Sequence, residues 1–211
     1  MFSPSIQKLV DLFSKFPTVG PRTASRFVFY LIKLPKEKIE ELTSAIQDLN
    51  KKIKFCSFCF NPFEGQDSKN ALCEICRNHD RDRSLLCIVE KETDLISIEK
   101  TKKYKGLYFI LGDTIATLKK SDIEKIRTNE LQERLKNPQV FGIITIFKEI
   151  IIATNPTPEG KATAVLVKRT IKETTKSNPI KITHLGLGLP VGGELEYADE
   201  ETLENAFNNR C

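Results

Sequence analysis

Four cysteines constrain this chain more than any other feature. Cys56-Ser57-Phe58-Cys59 and Cys73-Glu74-Ile75-Cys76 are two Cys-x-x-Cys pairs, separated by the thirteen residues from Phe60 to Leu72. In each pair a tight turn lets two thiolates reach one metal ion, and the loop carries the second pair across to complete a tetrahedron. Four thiolates leave no open coordination position, so the spacing predicts one structural Zn2+ per chain, not a catalytic one. The alternatives are two disulfides or four unrelated buried cysteines. Disulfides need an oxidising compartment, and Lys8, Asp11 and Lys15 interrupt the apolar run a secretory signal would require. The expected location is the cytoplasm. So few residues gain little from apolar burial, so loss of the metal should unfold the module. Of the other two cysteines, Cys87 lies in an apolar run and is expected to be buried, and Cys211 is the last residue.

The sequence has no uninterrupted apolar stretch of membrane-spanning length. At 211 residues it can hold one sizeable domain or two to three modules. The formal charge is only +5, but its placement is informative. Residues 1–55 carry ten Lys and Arg against five Asp and Glu, whereas residues 56–211 balance at 23 of each sign. That directs an anionic partner, nucleic acid first, to the N-terminal end.

The N-terminal region reads as helical. Ser3-Pro4 opens a helix whose apolar face is Ile6, Leu9, Val10, Leu12, Phe13 and Phe16, and Pro17 stops it. A second helix runs from Pro21 with Ala24, Phe27, Val28 and Leu31 inward, until Leu34-Pro35 breaks it. A third carries Ile39, Leu42, Ile46, Leu49 and Ile53 on one stripe. The turn between the first two, Phe16-Pro17-Thr18-Val19-Gly20-Pro21-Arg22-Thr23-Ala24, resembles the helix-hairpin-helix motif. Thr18 stands where that motif's first glycine would be. Backbone N–H groups at a helix N-terminus can hold a phosphate, Gly20 can supply a positive φ and a close backbone approach, and Arg22 and Arg26 share one helix face. Gly20, Arg22 and Arg26 are therefore the candidate DNA contacts. Two solvated arginines on an ordinary helical hairpin are the competing reading.

Beyond Arg81-Asp82 the texture changes. Leu85–Val89 is a continuous apolar run of strand length, as in a parallel sheet buried on both faces. A short helix over Asp94–Lys100, a strand over Tyr108–Leu111, a charged helix over Ser121–Lys136, a strand over Glu149–Thr154, a helix through Lys176 and a strand over Ile180–Leu185 follow. Alternating strands and helices predict an α/β sheet. The apolar segment Val140–Phe147 has no assigned place. Four glycines between Gly186 and Gly193 suggest a nucleotide loop, but no Gly-Lys-Ser/Thr follows them, so a P-loop is not supported. Asp199 is positioned to cap a last helix.

The α/β section resembles the Toprim fold, in which an acid ends the first strand and an Asp-x-Asp pair follows a later one. Glu90 holds the first position. Asn155-Pro156-Thr157 occupies the second, with Glu159 the nearest acid. In Toprim enzymes such carboxylates hold magnesium for phosphoryl transfer. Here the charge for a two-metal site is missing, which argues against Mg2+ and against catalysis. The order of parts is more specific than any one of them. A helix-hairpin-helix, four cysteines, Arg81-Asp82-Arg83-Ser84-Leu85-Leu86-Cys87-Ile88-Val89-Glu90, then Ala153–Gly160 and Gly188–Asp199 together resemble the bacterial RecR family over nearly the whole chain.

The resemblance implies an α+β multi-module protein. Residues 1–54 would be a helix-hairpin-helix DNA-binding module and 55–78 a four-cysteine zinc module. Residues 79–178 would be a Toprim domain and 179–211 a C-terminal strand, Gly-rich loop and helix. It implies a non-enzymatic, sequence-independent DNA clamp in recombinational repair, forming ring-like tetramers, associated with the nucleoid and acting with RecO and RecF to help load RecA onto gapped DNA. The Toprim face, with Glu90, Asp94, Asn155, Thr157 and Glu159, would serve partner contacts. A catalytically active Toprim phosphoryl-transfer enzyme is the alternative.

Overall fold

The computed structural model describes residues 2–65, 71–114, 126–208 and 210. Its contacts divide the chain into two compact units, Met1–Ile53 and Lys54–Cys211.

The first unit is helical: α1 (Pro4–Phe13), α2 (Pro21–Ile32) and α3 (Lys36–Lys52). Pro4 and Pro21 occupy first-turn positions, where a missing N–H costs nothing. Val10, Ala24 and Val28 form a small buried cluster, with Ile6, Phe13 and Val19 packed against it. Much of each expected apolar face lies outside this cluster. Leu9, Leu12 and Phe16 are exposed, as is Phe27 on α2, and α3 buries no residue at all. Thr18, not Gly20, adopts the left-handed conformation, with φ 63°. Gly20 is extended at φ −83° and precedes α2. The expected positive φ at Gly20 is thus corrected: the bend falls two residues earlier.

The second unit is built on a four-stranded parallel sheet in the order β4-β3-β5-β6. A two-stranded sheet, β1 (Ile53–Phe55) with β2 (Pro62–Glu64), and α4 (Glu74–Arg77) precede it. The sheet strands are β3 (Asp82–Val89), β4 (Gly106–Ile110), β5 (Glu149–Ala153) and β6 (Lys181–His184). Register is continuous from Leu85↔Glu149 to Val89↔Ala153 between β3 and β5. Alternation sends Leu86, Ile88, Phe109, Ile150 and Ile152 to one core and Cys87, Val89, Tyr108 and Ile110 to the other. Burial pushes the Cys87 thiol up to about 12. α5 (Glu92–Lys100) places Leu95 against the second core, and α6 (Thr128–Lys136) and α7 (Pro158–Thr174) cover the first. Residues 115–125, where the charged helix was expected to begin, lie outside the described residues, as does Cys211.

The segment Val140–Phe147 forms no ladder strand. Pro138–Phe141 is a 3-10 turn ended by Gly142 at φ +79°. Beyond it Ile143 and Phe147 point inward while Ile144 and Ile146 are exposed. The chain closes with α8 (Glu200–Asn208), whose start Asp199 caps by accepting from Thr202 N at 2.8 Å. No helix among the described residues is long and apolar enough to cross a membrane.

Candidate metal centre and nucleic-acid interface

Each cysteine pair sits on a turn that aims both sulfurs inward. Phe60 N donates to Cys56 O at 3.0 Å, and Asn61 N donates to Cys59 Sγ at 3.4 Å. The second pair caps and enters α4, where Arg77 N donates to Cys73 O at 2.9 Å. Ser57 N donates to Ala71 O at 2.9 Å, which ties the first knuckle to the chain just ahead of the second. All four cysteines are buried, and their Sγ atoms lie within 4.8 Å of one another, Cys59 and Cys73 at 3.5 Å. A tetrahedron with metal–sulfur bonds of 2.3 Å has edges of about 3.8 Å. The donor set therefore fits one metal ion.

Close packing also couples the four protonation states. The close approach of the other three sulfurs, Cys59 foremost, holds the Cys56 thiol below its ordinary value. Contact with Cys56 first, and burial after it, raise the thiols of Cys59 and Cys76. A metal ion would take the place of the protons that the sulfurs otherwise share.

The cluster belongs to the same core as the sheet. Phe58, inside the first knuckle, is fully buried and stacks on Phe147 with ring centroids 6.2 Å apart. Ile110 N, at the end of β4, donates to Cys59 O at 3.1 Å. Arg134 of α6 donates from Nη2 to Ser57 O at 2.9 Å, and its guanidinium lies over Phe60 at 4.6 Å and Phe141 at 3.9 Å. Phe60 itself adopts φ 65°. In the segment between the two pairs, Phe60, Phe63 and Leu72 pack against the core. Nothing in the sequence marks Arg134 for this task, since Ser57 lies 77 positions away.

The carboxyl ends of β3 and β5 are neighbours, which brings Glu90 beside the loop after Ala153. Glu90 is only 2% exposed. Asn155 N donates to its Oε1 at 2.9 Å, and Asn155 Nδ2 donates to its Oε2. Both carboxylate oxygens are thus engaged by one residue. Thr157 caps α7 by accepting from Gly160 N at 3.1 Å. Asp94 accepts from Lys91 N at 3.0 Å and caps α5. Glu159 is exposed in the first turn of α7. A Cβ on Gly160 would lie 2.0 Å from Asn155 O and 2.8 Å from Glu90 Oε1, so only glycine permits this approach. The structure brings Glu90 and Asn155 together, and among the described residues no hydrogen bond or ion pair joins Asp94 or Glu159 to either of them. Among the described residues, the four cysteines are the one group of three or more His, Cys, Asp or Glu residues whose ligand atoms converge.

In the first unit Arg22 and Arg26 are exposed on α2. Neither makes an ion pair or hydrogen bond among the described residues. A Cβ on Gly20 would meet nothing within 4 Å, so the backbone at the start of α2 is open to approach.

A helical unit, a four-cysteine cluster and a helix-covered parallel sheet define a modular protein with a closed metal centre and no second cluster of converging ligands among the described residues. Family models match in the same order: the RecR helix-hairpin-helix over residues 6–49, the Toprim domain over 84–186 and the RecR C-terminal region over 188–211. The recombination protein RecR of Rubrobacter xylanophilus is 39% identical over 209 residues, covering 99% of this chain and 97% of that protein. RecR of Cutibacterium acnes is 38% identical over 210 residues, covering 100% and 96%. RecR of Clostridium perfringens is 37% identical over 206 residues, covering 98% and 96%. The chain belongs to the RecR family of recombination proteins.

Proposed function

We propose that the chain is a non-enzymatic DNA clamp and scaffold in recombinational repair. It acts with RecO and RecF to help load RecA onto gapped DNA covered by single-strand-binding protein. Gly20 gives phosphate close access to the α2 N-terminus, and Arg22 and Arg26 neutralise backbone charge without reading sequence. The four cysteines hold one structural Zn2+, because a closed all-thiolate tetrahedron suits that ion and leaves it no site for substrate. The site of action is the cytoplasm, at the nucleoid.

The observation that carries the non-enzymatic half is the state of Glu90. Its two oxygens already accept hydrogen bonds from Asn155, a neutral residue where an Asp would be needed for magnesium. Magnesium-dependent phosphoryl transfer is therefore not expected of this sheet, and Asp94, Asn155, Thr157 and Glu159 serve partner contacts, while the buried Glu90 holds Asn155 in place. Apolar surface supports self-association into a ring-like tetramer. Leu42, Ile46 and Leu49 on α3, and Val191, Tyr197 and Phe207 in the C-terminal segment, are all exposed in the single chain.

The test is the salt dependence of duplex binding. Replacing Arg22 and Arg26 together by Ala should lower the slope of log K against log salt by about 1.8, near 0.9 for each phosphate no longer neutralised. An unchanged slope would remove the hairpin from the interface.

A further inference from the structure

The overall neutrality of residues 56–211 conceals a local concentration of positive charge. Residues 158–176 hold five Lys and Arg against only Glu159 and Glu173. Lys168, Lys172 and Lys176 stand four apart and line one side of α7 and its C-terminal extension, roughly 6 Å apart along the axis. All three are exposed. Lys168 and Lys172 make no ion pair or hydrogen bond among the described residues. Lys176 lies within Coulombic range of Glu173, but that carboxylate is already bonded by Arg169 Nε at 2.8 Å. Two open concavities of about 370 and 460 Å³ flank the ridge, and each is lined by Lys168, Lys172 and Lys176.

Helix electrostatics alone do not account for this row. Cations in a last turn complement the helix dipole, which explains Lys172 and Lys176. Lys168 lies beyond the reach of that effect, which fades within one turn. Like charges at i,i+4 also destabilise a helix, where alternating signs would stabilise it. The stripe carries no aromatic ring on which a base could stack. Lysine offers a point charge and no planar fork for reading base edges. A linear row of ammonium groups at this spacing matches successive phosphates along a strand.

We propose that this face of α7 is a second nucleic-acid surface, in which Lys168, Lys172 and Lys176 contact the sugar-phosphate backbone independently of sequence. The proposal rests on the reading of the chain as a DNA-binding protein, but not on the helical hairpin being the contact. The experiment measures binding of the full-length, metal-loaded protein to a fluorescent duplex between about 50 and 200 mM salt. It compares the parent, R22A/R26A, K168A/K172A/K176A and the variant with all five changes. Because the three lysines are exposed and Ala is a strong helix former, the triple variant should keep the parent's melting temperature and lower the slope by about 2.7. Val165, 69% exposed on the same face, provides a second measurement. V165C carrying a photo-crosslinker should attach to the duplex and be competed by unlabelled DNA.

A triple variant with the parent's slope and affinity, together with no crosslink from position 165, overturns the proposal and leaves the ridge to an acidic protein partner. A lowered slope for the lysine variant beside an unchanged one for R22A/R26A supports the ridge and removes the hairpin. The reverse pattern removes the ridge and keeps the hairpin.

Discussion

The cysteine cluster and the Glu90 cradle are built from residue types that bind metals, and both are buried against the same sheet. They differ in what already satisfies their donor atoms. The four sulfurs have mainly one another, with Asn61 N touching only Cys59. Glu90 has a partner for each oxygen, both supplied by Asn155. Ligand identity is therefore a poor guide to metal binding by itself. A buried donor set invites an ion when its lone pairs lack other partners, and becomes ordinary internal structure when a neutral side chain takes them.

The largest effect that could break this contrast is at the cysteines. Cys59→Ser, or treatment of the parent with a strong chelator, should abolish stoichiometric metal and unfold the second unit at temperatures where the parent is folded. A structural zinc site contributes on the order of 10–16 kcal/mol, comparable with the whole stability of an ordinary domain. Because Phe58 and the cysteines share a core with β3 to β5, the loss should spread into the sheet and not stop at the knuckles. Metal analysis beside thermal melting reads both consequences. A metal-free protein with an unchanged melt would show that the cluster is held by packing alone.

The two sites were unequally legible in the sequence, for physical reasons. The cysteine spacing is local, so turn geometry alone dictates that each pair can share an ion. The strands β3, β4 and β5 were legible as continuous apolar runs because a parallel sheet covered on both faces excludes polar residues. Glu90 was legible as the acid closing a strand, but its bonding was not. Its partner sits 65 positions away, and only the register of β3 with β5 brings Asn155 against it. Arg134 was invisible for the same reason. Helical periodicity in the first unit located the apolar stripes but could not say what covers them. Leu42, Ile46 and Leu49 satisfy the pattern and remain exposed in the single chain. The segment after Pro138 defeated periodicity because Gly142 turns the chain through a positive φ in its middle. Thr18 took the left-handed position that glycine was expected to supply, at a backbone cost of order 1 kcal/mol.

A second, smaller effect sharpens the Glu90 side. Gly160→Ala would place a methyl group 2.0 Å from a backbone carbonyl, and backbone cannot swing away as a flexible side chain does. Overpacking of this kind costs about 3 kcal/mol. We expect a clear fall in melting temperature with metal content and duplex affinity retained in the folded fraction. A neutral result would mean that the Asn155 loop is free to move, and that Glu90 is held less tightly than the cysteines.

The smallest effect is the most discriminating. Asn155→Asp keeps the backbone N–H to Glu90 Oε1 but replaces the Nδ2 donor with a second carboxylate. Losing a hydrogen bond to a charged group costs about 2 kcal/mol; the exposure of position 155 lets the new charge turn towards water, which limits further repulsion. The variant also restores an acid at the first place of the Asp-x-Asp pair, opposite a Glu whose Oε2 has lost its partner. Two carboxylates with hard oxygens now face the same small volume, a setting that suits magnesium. Millimolar Mg2+ should therefore raise the variant's melting temperature and leave the parent's unchanged. Ligand at ten times its dissociation constant stabilises by about 1.4 kcal/mol, enough to recover most of the loss. An equal rise in the parent would show that Glu90 was open to metal all along, and the contrast with the cysteines would collapse. A variant that loses stability and does not respond to Mg2+ would show that this sheet has lost more of a metal site than one charge.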